Sequence, residues 1–341
     1  MRIRNVQVNR FCSSIMNEET LEELMRYINT DVSNGVATLT LNDPDKRNAI
    51  NLQMNDEICE VLDELETSEE VGCLVVTGAG KAFCAGADLG DLLAARERDN
   101  IQDIYRGFLR IADSTLPTIA AVNGAAVGAG MNMALACDMI LAGESARFDS
   151  RFLEIGIHPG GGHTWRLLSR TNEQTMRAMV LFGQVLSSQE ARRRGLVWEV
   201  FPDEILIAEA KDIGEKASSY SKDLTRSTKE AFKALPAIDN SGDAVQHEVV
   251  PQVKSMESDA FRSLVTALQK KISSGSYEIQ SSCKESPRSF HSSDVIANRL
   301  WSSHLPLISR YFSACPSLPR FNFSATLLLA VFLGIIATWT L

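Results

Sequence analysis

The chain has 341 residues, of which 45% are hydrophobic and 23% charged, and its formal net charge is −9. This length and composition indicate one sizeable globular domain with additional segments, and argue against a disordered chain, a collagen or a membrane protein with many spans. The acidic balance argues against nucleic acid as the main partner. The seven cysteines are widely spaced and form no Cys-x-x-Cys pair, so they indicate neither a disulfide framework nor a zinc ribbon.

The first 27 residues form a basic segment, with Arg2, Arg4 and Arg10 and no acidic residue before Glu18. Two interpretations remain open for it: an organelle transit peptide and a disordered basic start. It lacks the apolar core of a secretory signal peptide.

Residues 28–276 are predicted to form the main domain. Apolar residues recur with the alternation of strands or the three- and four-residue spacing of helices. The pattern predicts strands at 36–41, 73–76, 117–122 and 139–141, and helices at 54–65, 101–109 and 131–137. Such an order is typical of an α/β fold with crossover units on a largely parallel sheet. From about residue 164 to residue 271 the pattern becomes mostly helical.

The C-terminal part differs in composition from the rest. Of the 49 residues from 272 to 320, 14 are serine and four are proline, which predicts a Ser/Pro-rich linker, assigned to residues 277–320. Residues 321–341 carry no charge and would span about 31 Å as a helix, enough for the ~30 Å core of a bilayer. The sequence therefore predicts a C-terminal transmembrane helix.

The flank of this segment suggests its orientation. Arg310 and Arg320 precede it without acidic residues, which favours the cytosolic side for the domain before it. We therefore expect a tail-anchored protein of the outer mitochondrial membrane or the endoplasmic reticulum. The mitochondrial matrix is the alternative, because of the basic N-terminus.

Two turns rich in glycine and alanine, at residues 81–89 and 123–131, each lie between a predicted strand and a predicted helix. At the start of a helix the backbone N–H groups lack intrahelical acceptors and the helix dipole favours an anion. This suits a carbonyl oxygen that becomes an oxyanion. Nucleotide-binding motifs fail on spacing, since Gly78-Ala79-Gly80 lacks the third glycine and Gly80-Lys81 is not followed by Ser or Thr.

Four segments carry a resemblance to a known family: NGVATLTLNDPDKRNAI, CLVVTGAGKAFCAGADL, PTIAAVNGAAVGAGMNMALACDMILAG and HPGGGHTWRL. Over residues 32–271 the chain resembles the crotonase, or enoyl-CoA hydratase/isomerase, superfamily. The resemblance implies a spiral of ββα units with a C-terminal helical region used in trimerisation, and hence a homotrimer or hexamer. It implies an acyl-CoA thioester as substrate and no permanently bound cofactor, coenzyme A being part of the substrate.

The resemblance also implies roles for individual residues. The two backbone N–H groups with which the family polarises the thioester carbonyl fall on Ala87 and Ala129. Positions that bind CoA or substrate fall on Lys46, Arg47, Ala49, Ala85, Asp88, Leu89, Gly90 and Gly128. Asp88 has a second interpretation, as the N-cap of the helix that follows it.

The chain departs from the family at the acid/base positions, where Asn132 and Phe152 replace the two glutamates of the hydratases. Neither side chain accepts a proton near pH 7, so we expect weak water addition unless another group substitutes, with Asn132 positioning substrate or water. Glu154 and His158 are candidate substitutes. Their alternatives are a surface carboxylate paired with an arginine and a structural histidine. A metal pair of His158 and His163 lacks further ligands, and we predict no metal site.

Two functions remain open at this point. The first is an acyl-CoA enzyme that works through an enolate-like state, as an isomerase, decarboxylase, hydrolase or weak hydratase. The second is a catalytically silent, membrane-tethered subunit that binds acyl-CoA. The missing glutamates favour the second, but the two turns favour the enzyme, since a pure binder has less need of both oxyanion donors.

Overall fold

The computed structural model describes residues 27–98 and 101–273. The predicted basic segment lies outside these residues except for Tyr27, and so do the predicted linker and residues 321–341. The chain divides into one unit that ends at Thr266 and a second that begins at Ala267. The described part of the second unit is the end of the last helix.

The strands follow one another closely in the first 200 residues. They are β1 (Ile28–Ser33), β2 (Val36–Leu41), β3 (Cys73–Gly78), β4 (Ala82–Cys84), β5 (Thr118–Val122), β6 (Ala125–Val127), β7 (Met139–Gly143), β8 (Arg147–Asp149), β9 (Leu186–Ser187) and β10 (Glu199–Phe201).

The helices lie between these strands and then make up the C-terminal part. They are α1 (Leu52–Thr67), α2 (Leu89–Arg98), α3 (Arg106–Ala112), α4 (Ala129–Ala136), α5 (His163–Arg170), α6 (Glu173–Phe182), α7 (Ser188–Arg193), α8 (Leu206–Ser218), α9 (Lys222–Ala234), α10 (Ser241–Met256) and α11 (Asp259–Ser273). Short 3-10 helices span Pro44–Lys46, Ile101–Tyr105, Leu153–Ile155 and Leu235–Ala237.

The strands form two sheets. The larger sheet has the order β1-β2-β3-β5-β7-β10 and is parallel except for β1, while the smaller has the order β4-β6-β8-β9 and is parallel except for β9. The pairs β3/β4 and β5/β6 each give one strand to each sheet and are followed by a helix. This repetition confirms the predicted α/β fold of ββα units.

The core packs where the sequence pattern places it. Asn51 caps α1, its Oδ1 accepting the N–H of Met54 at 2.7 Å, and the predicted apolar stripe of that helix is buried. All six residues of β3 are buried, as expected for a parallel strand covered on both faces. The burial of β3 on both faces fixes its position in the core. It therefore also fixes the start of the glycine- and alanine-rich turn at residues 81–89, which follows β3.

The prediction of a membrane-spanning helix is not supported by the structure. No helix within residues 27–98 or 101–273 is long and apolar enough to cross a bilayer, and residues 321–341 lie outside the described part. The expectation rested on the charge-free, apolar length of residues 321–341, and no described helix bears it out. The fold class therefore loses its transmembrane helix, and the tail-anchored location and membrane association are withdrawn with it.

Candidate functional site

The two glycine- and alanine-rich turns pack against each other. They follow β4 and β6, which are parallel neighbours, so both turns leave the same edge of the smaller sheet. A Cβ atom on Gly86, which has φ +115°, would lie 3.3 Å from the carbonyl oxygen of Val127. A Cβ atom on Gly130 would overlap with the carbonyl oxygen of Cys84. Glycine at both positions therefore allows the close approach of the two turns.

The N–H group of Ala87 is left without a backbone acceptor in the described part of the chain. Ala87 pairs with Ile50 in an isolated parallel bridge. The two bonds of that bridge run from the Ile50 N–H to the Gly86 oxygen and from the Asp88 N–H to the Ile50 oxygen, each at 2.7 Å. Both hydrogen bonds are made by the residues on either side of Ala87, namely Gly86 and Asp88. The N–H of Ala87 itself therefore points away from Ile50.

The N–H group of Ala129 is free for a different reason. Ala129 is the first residue of α4, and the first intrahelical bond of that helix runs from the Asn132 N–H to the Gly128 oxygen at 3.0 Å. No side chain caps this helix, so the Ala129 N–H has no intrahelical partner. The two adjacent turns thus each present a backbone donor, in an arrangement that could bind a carbonyl oxygen.

Asn132 lies one turn further along α4 and is 1% exposed. Its Nδ2 donates to the Gly160 oxygen at 3.0 Å, and its Oδ1 lies 2.8 Å from Nδ1 of His163. Since an amide oxygen only accepts, this arrangement assigns the proton to Nδ1 of His163. Asn132 is therefore held by the protein at both ends of its amide.

His163 continues this chain of hydrogen bonds to Ser150. The Nε2 atom of His163 lies 2.8 Å from Oγ of Ser150, and both side chains are buried. With the proton on Nδ1, Nε2 accepts the hydroxyl proton of Ser150. Burial, and to a smaller extent the charge of Arg166, lower the pKa of His163 to about 4, so the imidazole is neutral at pH 7.

Phe152 packs against the imidazole of His163. Its ring centroid lies 4.9 Å from that of His163, with 59° between the ring planes. The two positions at which the family resemblance places glutamates, 132 and 152, therefore both lie against His163. The sequence interpretation had considered His163 only as a metal ligand and had not singled out Ser150.

The two predicted substitutes for the glutamates lie on the surface. The Glu154 carboxylate pairs with Nε of Arg151 at 3.2 Å, and Nδ1 of His158 bonds to the Pro159 oxygen at 2.7 Å. Glu154 would share a face with Phe152 if residues 151–155 ran extended, but Leu153–Ile155 is a 3-10 helix, so strand alternation does not apply there. Within the described residues, the contacts of both side chains fit their structural interpretations.

The segment that contains Lys46, Arg47 and Ala49 runs alongside the first turn. The Ala85 N–H donates to the Arg47 oxygen at 3.0 Å, and Nζ of Lys46 lies 3.5 Å from Oδ2 of Asp88. These contacts join the predicted CoA-binding positions of the two segments into one surface. Leu89, at the start of α2, is 65% exposed beside it.

Asp88 has the contacts of a helix cap. Its Oδ1 accepts the N–H groups of Gly90 at 2.8 Å and Asp91 at 3.2 Å. Although desolvation by burial opposes ionisation, these N–H groups hold the pKa of the Asp88 carboxyl below its usual value. No group of three or more potential metal ligands occurs in residues 27–98 and 101–273.

Comparison with known proteins now identifies the family. Residues 31–274 match the family model described as enoyl-CoA hydratase/isomerase. The chain belongs to the enoyl-CoA hydratase/isomerase family. This confirms the resemblance read from the four sequence segments, and with it the prediction of an enzyme.

Relatives in this family share most of the domain. The chain is 41% identical over 247 residues to the probable enoyl-CoA hydratase EchA14 of Mycobacterium tuberculosis, covering 70% of this chain and 95% of that protein. It is 35% identical over 201 residues to the 1,2-epoxyphenylacetyl-CoA isomerase of Escherichia coli, covering 56% and 75%. The crystal structure of an enoyl-CoA hydratase from Bacillus anthracis superposes with a TM-score of 0.68 at 29% identity, covering 72% of this chain and 97% of that one.

Proposed function

We propose that this enoyl-CoA hydratase/isomerase family member binds an acyl-CoA thioester and stabilises its enolate. The thioester oxygen accepts hydrogen bonds from the N–H groups of Ala87 and Ala129. The observation that carries the proposal is that neither N–H group has a backbone acceptor among the described residues, and that the two lie on adjacent turns. Donors placed in advance at the position of a developing oxyanion lower the barrier of a reaction that passes through it.

The chemistry we propose is enolate formation with little addition of water. Asn132 and Phe152 supply no carboxylate, and the amide of Asn132 is engaged with His163 and Gly160. General acid or base groups contribute about 10²- to 10⁴-fold each, so their loss slows hydration more than it slows binding. Coenzyme A enters with the substrate, over the surface formed by Lys46 and Asp88, and no resident cofactor takes part.

A panel of CoA thioesters tests this function. At a concentration of about 100 times Kd, a ligand stabilises the fold by about 2.7 kcal/mol, which raises Tm by about 5 to 10 °C for a domain of this size. We therefore expect acetyl-, butyryl-, crotonyl- or octanoyl-CoA to raise Tm, and free CoA to raise it less. Turnover of each is followed by mass spectrometry, with slow hydration expected for crotonyl-CoA.

The outcomes separate three cases. Thermal stabilisation with turnover supports the enzyme, and stabilisation without turnover of any thioester would leave an acyl-CoA-binding protein. No stabilisation by any member of the panel contradicts the proposal.

We further propose that the chain assembles as a trimer or hexamer through its C-terminal helices. Helices α9 and α10 bury no residue within the chain, and large apolar side chains such as Phe232, Val250 and Leu264 are exposed. Exposed apolar surface of this extent is typical of an interface between subunits.

Light scattering on the full chain tests this assembly. We expect a mass of three or six chains, and dissociation on Leu264→Glu, because Leu264 is 71% exposed in the isolated chain and would bury its charge at an interface. The matched control is Ser263→Glu, which adds the same charge at the neighbouring exposed polar position. A monomeric unaltered chain would contradict the proposed assembly.

A further inference from the structure

A buried, hydrogen-bonded serine–histidine pair lies beside the proposed oxyanion site. Ser150 directly follows Asp149 at the end of β8, and Asp149 pairs with Val127 at the end of β6. The Gly128 N–H donates to the Asp149 oxygen at 2.9 Å. Ser150 is therefore the strand neighbour of Gly128, the residue that precedes Ala129.

We propose that Ser150 and His163 are the proton-transfer pair of this site, with Asn132 as a positioning residue. The Ser150 hydroxyl removes and returns the proton on the carbon next to the thioester carbonyl. The inference rests on the proposed function, because the thioester must be held at Ala87 and Ala129 for this carbon to lie near Ser150.

The step balances in protons and electrons. The α-carbon–hydrogen bond breaks, and its electron pair forms the enolate, whose negative charge rests on the thioester oxygen. The proton bonds to Oγ of Ser150 as the hydroxyl proton moves to Nε2 of His163, which becomes an imidazolium. The reverse transfer returns a proton to the same carbon or, in an isomerisation, to a conjugated one.

The hydrogen bonds around His163 direct this transfer. Both ring nitrogens of His163 are engaged, Nδ1 with Asn132 and Nε2 with Ser150, so the imidazole acts only through the serine. A hydroxyl has one proton and two lone pairs, so Oγ of Ser150 can receive a proton while it donates its own. Because Nδ2 of Asn132 is bonded to Gly160, the Asn132 oxygen faces Nδ1 and keeps the basic lone pair of Nε2 toward Ser150.

The basicity of His163 matches that of the groups it would replace. A glutamate side chain has an ordinary pKa of about 4.3. Burial gives His163 a pKa of about 4, with Arg166 as the second cause, so at pH 7 it is as free of a proton as a glutamate would be. The ring of Phe152 packs against the imidazole, and His163 is 1% exposed, so water has little access to it.

Exchange of α-protons with heavy water tests the pair without knowledge of the full reaction. The full-length chain is incubated in D₂O with butyryl-CoA and octanoyl-CoA, and deuterium in the acyl group is measured by mass spectrometry. We expect Ser150→Ala and His163→Gln to lower the exchange rate by about 10²- to 10⁴-fold, while the acyl-CoA still raises Tm. Ser150→Thr keeps the hydroxyl and is expected to retain exchange.

A second buried serine provides the matched control. Ser188 is 1% exposed and its Oγ donates to the Glu144 oxygen at 3.0 Å, so Ser188→Ala removes a comparable structural hydrogen bond. It is expected to leave exchange unchanged. If Ser150→Ala does not fold, His163→Gln carries the test, since it removes the base and leaves the serine in place.

The failure of the pair and the failure of the proposed function give different results. Exchange at the unaltered rate in folded Ser150→Ala and His163→Gln overturns the pair and leaves the proposed function standing. The pair is also overturned if the unaltered chain is stabilised by both thioesters but exchanges neither. Absence of stabilisation by any thioester removes the proposed function itself, and the pair with it.

Discussion

Ala129→Pro is expected to lower kcat for the acyl-CoA thioester by about 10²- to 10³-fold, the cost typical of one lost oxyanion donor. Proline lacks an N–H group, and its fixed φ suits the first position of a helix, which Ala129 occupies in α4. The substitution therefore removes the donor while α4 keeps its start. In free energy the loss corresponds to about 2.7 to 4 kcal/mol of transition-state stabilisation.

Steady-state kinetics with the thioester that gives turnover measures this effect. A donor that acts mainly on the developing oxyanion lowers kcat more than it raises KM. The matched control is Ala129→Gly, which removes the methyl group but keeps the N–H, and we expect it to stay within about threefold of the unaltered chain. Retention of kcat in a folded Ala129→Pro variant would exclude Ala129 as an oxyanion donor.

The part of the site that could be predicted from sequence is the part made by the backbone. Glycine and alanine between a strand and a helix identify the turns around Ala87 and Ala129 because small residues and free N–H groups follow from local structure. The structure adds only that β4 and β6 are neighbours, which brings the two turns together. The buried face of α1 could also be predicted from sequence, because its apolar residues recur at the three- and four-residue spacing of a helix.

The side-chain part could not be predicted in this way. Ser150 and His163 are 13 residues apart, and they meet because the chain between them turns at Arg151, with φ 56°, and at Gly156, with φ 76°. Asn132 lies 31 residues from His163 on a different helix. The two-residue alternation of a strand, which would place Glu154 beside Phe152, does not hold across such a segment and gives no indication of Ser150.

A similar limit applies to helix boundaries. The predicted helix over residues 101–109 is a 3-10 helix, Ile101–Tyr105, followed by α3 from Arg106 to Ala112. The apolar period is present in the sequence, but it does not distinguish one helical geometry from the next. Tertiary contacts decide here, since Asn55 of α1 bonds to the Asp103 oxygen at 2.9 Å and to the Gly107 N–H at 3.1 Å.

Stability is expected to fall as the pH decreases from about 6.5 to about 4, and His163 is the cause. Its pKa is about 4 in the folded chain because burial opposes the imidazolium, against an ordinary value of about 6.5 when unfolded. Between these values the unfolded state binds a proton that the folded state does not, so the free energy of unfolding rises with pH. The contribution is complete above pH 6.5 and absent below pH 4.

The size of this effect follows from the two values. One pKa unit corresponds to about 1.4 kcal/mol, so His163 accounts for about 3 kcal/mol of stability lost between pH 6.5 and pH 4. Urea unfolding of the unaltered chain and of His163→Gln, at steps of half a pH unit from 4 to 8, isolates the contribution. Glutamine has no ionisable group. The difference between the two chains in free energy of unfolding should therefore change with pH as expected for the uptake of one proton between pH 4 and pH 6.5, and should be constant above pH 6.5.

Two outcomes of this titration would be informative about the site itself. A difference curve that is flat from pH 4 to pH 8 means that His163 titrates equally in the folded and unfolded chains, which contradicts a buried neutral imidazole between Ser150 and Asn132. A slope of the opposite sign means that the folded chain favours the imidazolium. If the folded-state pKa obtained from that slope lies above 7, His163 is mostly protonated at pH 7 and cannot accept the hydroxyl proton of Ser150, so the proton-transfer pair loses its base.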